Sequence, residues 1–353
     1  MAQSRHDGLR CTRPLFGGKS GATMRRRDFL RLIYSASAWP LAAHAQQSDK
    51  LRRIGVLMAH RQGDPEFQAY LSAFKQGLEK FGWVEGRNIQ IDTRWGALDD
   101  ADGRLQAGKE LLTLNPDIIL TQNTPPTGSM LQLTRTVPVI FVIVTDPVGS
   151  GFVGSLSRPG GNATGFTIME PTTSGKWLEL LKDIAPHVKR AALLFNPRTA
   201  PYAKYYVQPF DAAAAKLGVN AVTATIDSKS DLERVFEAQA KIPDTGIVVM
   251  PDGFLNVYRA EIVSLAARYR LPTVYPWRFF PEIGGLLSYG FDQRDSFEDA
   301  AAYINRVLKG EKPGDLPVQA PTKYELVINR TAAKNLGLAL PTALVARASD
   351  VIE

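Results

Sequence analysis

Apolar residues along the body of the chain fall into two alternating patterns. Short, continuous, β-branched runs predict buried strands. Between them, apolar positions recur at spacings of three and four, which predicts amphipathic helices. The first run is Arg53-Ile54-Gly55-Val56-Leu57-Met58. It precedes a helix that carries Phe67, Leu71, Phe74, Leu78 and Phe81 on one face and stops at Gly82. A strand over 89–94, a helix over 99–114 and a buried strand at Ile118-Ile119-Leu120 follow. The run from Val137 to Val144 closes the series, and Pro138 marks its start because proline lacks the ladder donor. Strands alternating with helices in this way predict parallel sheets covered by helices.

The same order then begins again. Arg190-Ala191-Ala192-Leu193-Leu194-Phe195 repeats the first strand, and Phe210 to Gly218 repeats Phe74 to Gly82 at an offset of 136. Gly246 to Met250 answers Ile118 to Leu120, and Pro272 answers Pro138 at an offset of 134. Four matches in order predict two similar α/β lobes with doubly wound parallel sheets. The first lobe is expected over 46–165, completed by about 286–318, and the second over 166–285, completed by about 319–353. The connection over 146–165 contains Ser157-Arg158-Pro159-Gly160-Gly161-Asn162, which is turn chemistry. After the second half come a strand over 286–289, a helix over 295–308 and a strand over 325–328. The simplest topology sends this tail back to add a strand to each lobe, so that several crossovers form a hinge.

Composition changes this picture only at the N-terminus. The chain of 353 residues has a formal charge of +7, which by itself suggests a polyanionic partner. Eight of its Lys and Arg residues lie within residues 1–45, leaving 34 basic against 33 acidic residues beyond. The body therefore lacks the electrostatic footprint of a nucleic-acid binder. From Met24 the chain reads as an export signal: Arg25-Arg26-Arg27, a weakly apolar stretch from Leu32 to Ala43, and Ala43-His44-Ala45 as an A-x-A cleavage site. Arg26-Arg27-Asp28-Phe29-Leu30-Arg31 resembles the twin-arginine motif, with a general secretory signal as the alternative. Residues 24–45 are thus expected to be removed near Ala45, and residues 1–23 read as an upstream extension of a start at Met24. The single cysteine, Cys11, also precedes the body. A thiolate metal site and a cysteine nucleophile are thereby excluded from the body, and two histidines, His60 and His187, are too few for a His-rich site.

In open parallel sheets, ligands bind beyond the carboxyl ends of the strands. Two such sheets facing each other place all those ends in one cleft. The residues just past the predicted strands are Ala59-His60-Arg61, Arg94-Trp95, Gln122-Asn123-Thr124 and Thr145-Asp146 in the first lobe. In the second they are Asn196-Pro197, Pro251-Asp252-Gly253, and Tyr275 with Trp277; the returning strand adds Tyr289 and Asp292. The set suits a polar small molecule with an apolar part, with Asp252 as the partner of an ammonium group and Thr or Asn beside helix N-terminal amides as carboxylate donors. Structural roles compete with these: Asp146-Pro147 and Asn196-Pro197 also suit turns or helix caps, and Trp95 and Trp277 suit packing. No G-x-G-x-x-G follows a strand and no G-x-S-x-G occurs, so neither a dinucleotide cofactor nor a serine hydrolase is indicated. The expectation is a binding protein without a cofactor, not an enzyme.

Taken together, several motifs resemble one family. They are Arg25-Arg26-Arg27-Asp28-Phe29-Leu30, the strand Arg53-Ile54-Gly55-Val56-Leu57, Pro138-Val139-Ile140-Phe141 leading to Thr145-Asp146-Pro147-Val148, and Arg158-Pro159-Gly160-Gly161-Asn162-Ala163-Thr164-Gly165. The tail adds Leu308-Lys309-Gly310-Glu311-Lys312-Pro313, Leu316-Pro317-Val318-Gln319 and Lys323 to Asn329. Over residues 25–353 the chain is similar to the ABC-transporter substrate-binding proteins related to tryptophan- and tyrosine-type periplasmic receptors. The resemblance implies a type I periplasmic-binding fold with three crossovers, a monomer that closes on a small molecule, and an ABC permease of the inner membrane as its partner. It implies a periplasmic location and, from members of known ligand, an aromatic amino acid. It carries over Asn123, Thr145, Asp146, Asn196 and Asp252 as ligand contacts, to which the strand-end argument adds Tyr275 and Tyr289. Three other readings stay open: a sensor component feeding a membrane signalling protein, a two-domain α/β enzyme, and a regulator. The last would need a DNA-reading helix-turn-helix before the first strand, where residues 1–52 read as a signal instead.

Overall fold

The two runs of expected strands form two separate sheets in the computed structural model, which describes residues 51–353 apart from Asp99 and Met169. The export signal over 24–45 and the extension before it lie outside the described residues. The first sheet holds β1 (Arg52–Met58), β2 (Ile89–Trp95), β3 (Ile118–Gln122), β4 (Val139–Val144) and β5 (Ala163–Thr167) in the order β2-β1-β3-β4-β5, with every pairing parallel. Helices α1 (Pro65–Lys80), α2 (Ala101–Thr113) and α3 (Thr124–Leu133) connect its strands. Strands β3 and β4 are buried along their whole length. Burial on both faces is why they read as continuous apolar runs instead of alternating ones.

The second sheet holds β6 (Arg190–Phe195), β7 (Asn220–Thr225), β8 (Thr245–Val249), β9 (Thr273–Tyr275), β10 (Leu287–Gly290), β11 (Glu325–Asn329) and β12 (Asp350–Ile352). Their order is β12-β11-β10-β9-β8-β6-β7, and only β10 and β11 run antiparallel. Helices α4 (Thr173–Ile184), α5 (Ala203–Leu217), α6 (Asp231–Ala240), α7 (Gly253–Val257), α8 (Arg259–Arg268) and α9 (Phe279–Glu282) belong to this half, as do α11 (Arg330–Asn335) and α12 (Thr342–Arg347). Between β10 and β11 comes α10 (Gln293–Leu308), which returns to the first lobe and packs on α1.

That return corrects one expectation. The segment 286–289 was expected to complete the first lobe, but it lies in the second sheet between β9 and β11. Only a short link after α9 precedes β10, so β10 settles beside β9, its neighbour in sequence. The chain crosses after Gly290, whose missing side chain permits the turn: a Cβ there would lie 1.9 Å from the Pro276 carbonyl oxygen. The first lobe therefore gains a helix, not a strand. The tail also pairs with the edge of the first sheet at Gln319, which bridges Phe166 and exchanges backbone hydrogen bonds with Gly165 and Thr167 at 2.9 and 2.8 Å.

Three strands escaped the sequence reading: β5, β7 and the three-residue β12 at the end of the chain. β5 is Ala163-Thr164-Gly165-Phe166-Thr167, embedded in turn-rich sequence, and its pairing with β4 is irregular between Phe141 and Val144. Ile143 takes φ 58° there, and Gly165 takes φ 152°. β7 is a mostly exposed edge strand with a weak apolar pattern. A Cβ on Gly165 would fall 1.9 Å from the Phe141 carbonyl oxygen, so no relaxation of a side chain makes room for it. Gly165→Ala is predicted to destabilise the fold by about 3 kcal/mol or more, combining backbone strain with overpacking. A urea titration reads this directly, and an unchanged midpoint would show that the β4–β5 contact yields.

Candidate functional site

The carboxyl ends of the two sheets face each other, and the segments that leave them meet. From the first lobe these are Ala59-His60-Arg61 after β1, Gly96-Ala97-Leu98 after β2, Asn123 after β3 and Thr145 after β4. From the second they are Asn196 to Thr199 after β6 and Pro251-Asp252 after β8. A cavity of about 360 Å³ opens between them. Its apolar wall is Leu98, Phe254, Val257 and Tyr258, and its polar groups are His60, Arg61, Asn196, Arg198 and Thr199. A larger hollow of about 440 Å³ lies between α10 and the third crossover, beside Asp292, Asp295, Glu298 and Asp299. It touches few strand ends and only one lobe's helix, so the smaller cavity is the better candidate despite its size.

The lobes are in contact around this cavity. A Cβ on Gly253 would lie 2.5 Å from Leu98 Cδ1 and 3.4 Å from Asn123 Nδ2, so glycine is what lets the start of α7 approach the first lobe. The Tyr202 hydroxyl donates to the Pro251 carbonyl at 2.7 Å, and the Thr145 side chain approaches it from the first lobe. Arg259 at the start of α8 binds both carboxylate oxygens of Asp64 at 2.9 and 2.8 Å. Asp64 in turn caps α1 by accepting the Glu66 N–H at 3.1 Å. The guanidinium also lies over Phe67 of the first lobe and Phe279 of the second, 6.0 and 5.5 Å from their ring centroids.

The sequence-predicted residues divide by what the structure asks of them. Asp252 is buried, and its carboxylate accepts from Asn196 N at 2.7 Å, Phe254 N at 2.8 Å and the Thr199 hydroxyl. Burial nevertheless pushes its pKa up to about 6, against the opposing pull of those donors. Asn196 is buried and turns its Oδ1 to Arg198 N at 2.8 Å, so this pair organises the β6 and β8 ends around the cavity. Asn123, at φ 76°, caps α3 through Thr124 N at 2.7 Å. Asp146 closes a turn by accepting Gly149 N at 2.7 Å. Tyr275 is not at the cavity: it is buried in the second lobe and stacks on Phe280 with centroids 4.6 Å apart. Tyr289 stacks on Tyr324 at 5.5 Å, and its carbonyl accepts the Trp177 indole N–H at 2.6 Å. Trp277 is buried edge-on against Phe291 at 5.1 Å.

Sequence reasoning missed Leu98, Arg198, Thr199, Phe254 and Tyr258. The first three sit only two or three residues past positions that the strand-end rule selected. Phe254 and Tyr258 belong to α7 and its end, a helix too short to leave a periodic signal. The Asp64–Arg259 pair joins residues 195 apart and has no local signature.

Two predictions follow from the cleft. Arg259 and Asp64 are only 19% and 18% exposed, so their ion pair, in which Nη2 donates to both carboxylate oxygens, is weakly screened. Arg259→Gln is expected to loosen closure by about 1–2 kcal/mol, seen as a larger radius of gyration in X-ray scattering. Asp64→Asn keeps a capping oxygen, and in a double-mutant cycle its effect should not add to that of Arg259→Gln. Full additivity would mean the pair does not couple the lobes. His60 stacks on Phe67 at 3.5 Å, and burial, aided by Arg259, lowers its pKa to about 3. It is therefore neutral in the folded protein while the unfolded chain takes up a proton below pH 6.5. Stability present above that pH should be lost on acidification, by up to about 1.4 kcal/mol per pH unit. Asp252 works in the opposite direction between pH 6 and 3.8, because its folded pKa is raised. Relative to His60→Phe, the wild type should lose stability steadily from pH 6.5 towards 3 in denaturant titrations. Parallel pH curves for the two proteins would exclude this role.

Similarity to known proteins agrees with the geometry. The chain is 27% identical over 294 residues to a tyrosine-binding protein of Clostridioides difficile, covering 82% of each chain. Among solved structures it resembles an ABC domain from Streptococcus pneumonia in complex with L-Trp, with 27% identity and a TM-score of 0.77 over 86% of this chain and all of that one. A conserved domain protein of Vibrio cholerae matches at 30% identity and a TM-score of 0.78, over the same shares of the two chains. These neighbours carry the type I periplasmic-binding fold seen here as two parallel-dominated sheets joined by three crossovers. Residues 58–352 match the model of the ABC transporter substrate binding protein family, and the chain belongs to that family.

Proposed function

We propose that this protein is the exported, periplasmic receptor of an ABC importer, which closes its two lobes on one small molecule and presents the closed form to the permease. The observation that supports this most is the cavity of about 360 Å³ between the facing strand ends, lined by both lobes. A ligand that touches both lobes stabilises the closed arrangement, and one that touches a single lobe does not. The cavity pairs an aromatic and aliphatic wall with hydrogen-bonding and cationic groups. That pairing suits a compact molecule with a polar end and an apolar body. Aromatic amino acids and their close analogues are the first class to test, since tyrosine and L-Trp are named for two of the relatives.

In this reading Asn123, Thr145, Asn196 and Asp252 shape the cleft, and Asp252 acts through Asn196, Thr199 and the α7 amides that it holds. The protein binds and releases its ligand without transforming it. Among the described residues no helix is long and apolar enough to cross a membrane.

A thermal-shift panel of amino acids, aromatic acids, nucleosides and sugars tests the receptor role. A true ligand at one hundred times its Kd adds about 2.7 kcal/mol, or a rise of about 5 °C in Tm for a chain of this size. A flat panel with a folded protein would remove these ligand classes. Mass spectrometry of the protein recovered from the periplasm should find an N-terminus near Gln46. Recovery of the unprocessed chain from the cytoplasm would reject the exported location.

A further inference from the structure

Two arginines line the interlobe cavity, and they come from opposite lobes. Arg61 follows β1 in the first lobe and Arg198 follows β6 in the second. Both are exposed to the cavity and the solvent around it, and neither forms an ion pair with a carboxylate among the described residues. Arg198 does donate to the Asp227 carbonyl, which orients its guanidinium without neutralising it. Nearby carboxylates are already engaged. Asp252 is held by Asn196, Thr199 and Phe254, and Asp64 by Arg259.

Closing the lobes therefore brings two cations toward one small cavity. Their repulsion opposes closure until an anion sits between them, at which point the same two charges favour it. The apolar part of the lining is formed by Leu98, Phe254, Val257 and Tyr258. His60, neutral because it is buried against Phe67, adds a polar edge without a charge. Planar guanidinium groups match carboxylates well, since each offers paired N–H donors.

We infer that the cleft selects a monocarboxylate anion with a flat apolar body, gripped by Arg61 and Arg198 from opposite lobes, over the zwitterionic amino acid of the same skeleton. An α-ammonium would bring a third positive charge beside the two guanidinium groups, while an uncharged or absent α-substituent would not. This inference rests on the receptor reading and narrows its ligand.

Matched pairs test it by titration calorimetry on the purified protein: 3-phenylpropionate against L-phenylalanine, and indole-3-propionate against L-tryptophan. The acid of each pair is expected to bind at least about tenfold more tightly, the effect of one charge-assisted contact. Arg61→Gln and Arg198→Gln should each weaken the acid about tenfold or more while leaving the Tm without ligand unchanged, because both side chains are exposed. The double variant should bind acid and amino acid alike. Amino acids that bind as tightly as the acids, or acids that bind the two variants as they bind the wild type, would overturn the inference and leave the receptor reading standing. If no member of either pair binds the folded protein, the inference falls as well. The wider thermal-shift panel then decides the receptor reading separately.

Discussion

The tail of the chain is tied back to the first lobe where α10 crosses α1, and the two-lobed architecture depends on that contact. A Cβ on Gly77 of α1 would lie 2.9 Å from the Ala301 Cβ of α10 and 3.1 Å from the Glu298 carbonyl. Two small residues let the helices approach closely, and Phe297 then reaches Tyr70 with ring centroids 5.4 Å apart. Without that seat, one connection would join the lobes and their relative motion would be unconstrained. With it the chain crosses after β5, after β10 and again at the segment before β11. Three strands of chain bend together more readily than they twist, which favours a hinge.

The lobes meet through a few polar contacts set in apolar surroundings. Phe67 and Phe279 bring the lobes' cores together beneath the Asp64–Arg259 pair, and a single buried apolar cluster contains both. On the other side of the cavity Thr145 meets Tyr202, and Leu98 meets the bare backbone of Gly253. These contacts are individually modest. The proposed equilibrium between open and closed forms requires that, because a ligand shifts it only by its own differential affinity.

Asp252 illustrates how a residue chosen for one role serves another. Its place just past β8 and its charge suggested direct contact with an ammonium group. The structure turns the carboxylate inward, where it caps α7 and fixes the β6 end through Asn196. The positive charges on Arg61, which the strand-end rule selected, and on Arg198, which it passed over, are what the cavity presents instead. Tyr275 differs for a simpler reason. It ends β9, a central strand buried on both faces, and its ring is taken up by the stack with Phe280 inside the second lobe.

The sequence by itself determined the α/β class, the repeated order of elements and the facing strand ends between which the cavity lies. Each of these depends on local periodicity, on strand burial or on the general rule for the carboxyl ends of parallel strands. Tertiary structure alone decided that β10 joins the second sheet, that α10 completes the first lobe, and which side chains line the cavity. Sheet membership depends on the competition between neighbouring strands, and Gly290 settles it only through its distance from Pro276. Pairings such as Asp64 with Arg259 join residues 195 apart, and no local pattern encodes them. Strand ends can be read from a sequence, but the direction of a side chain beyond the strand depends on packing from the other lobe.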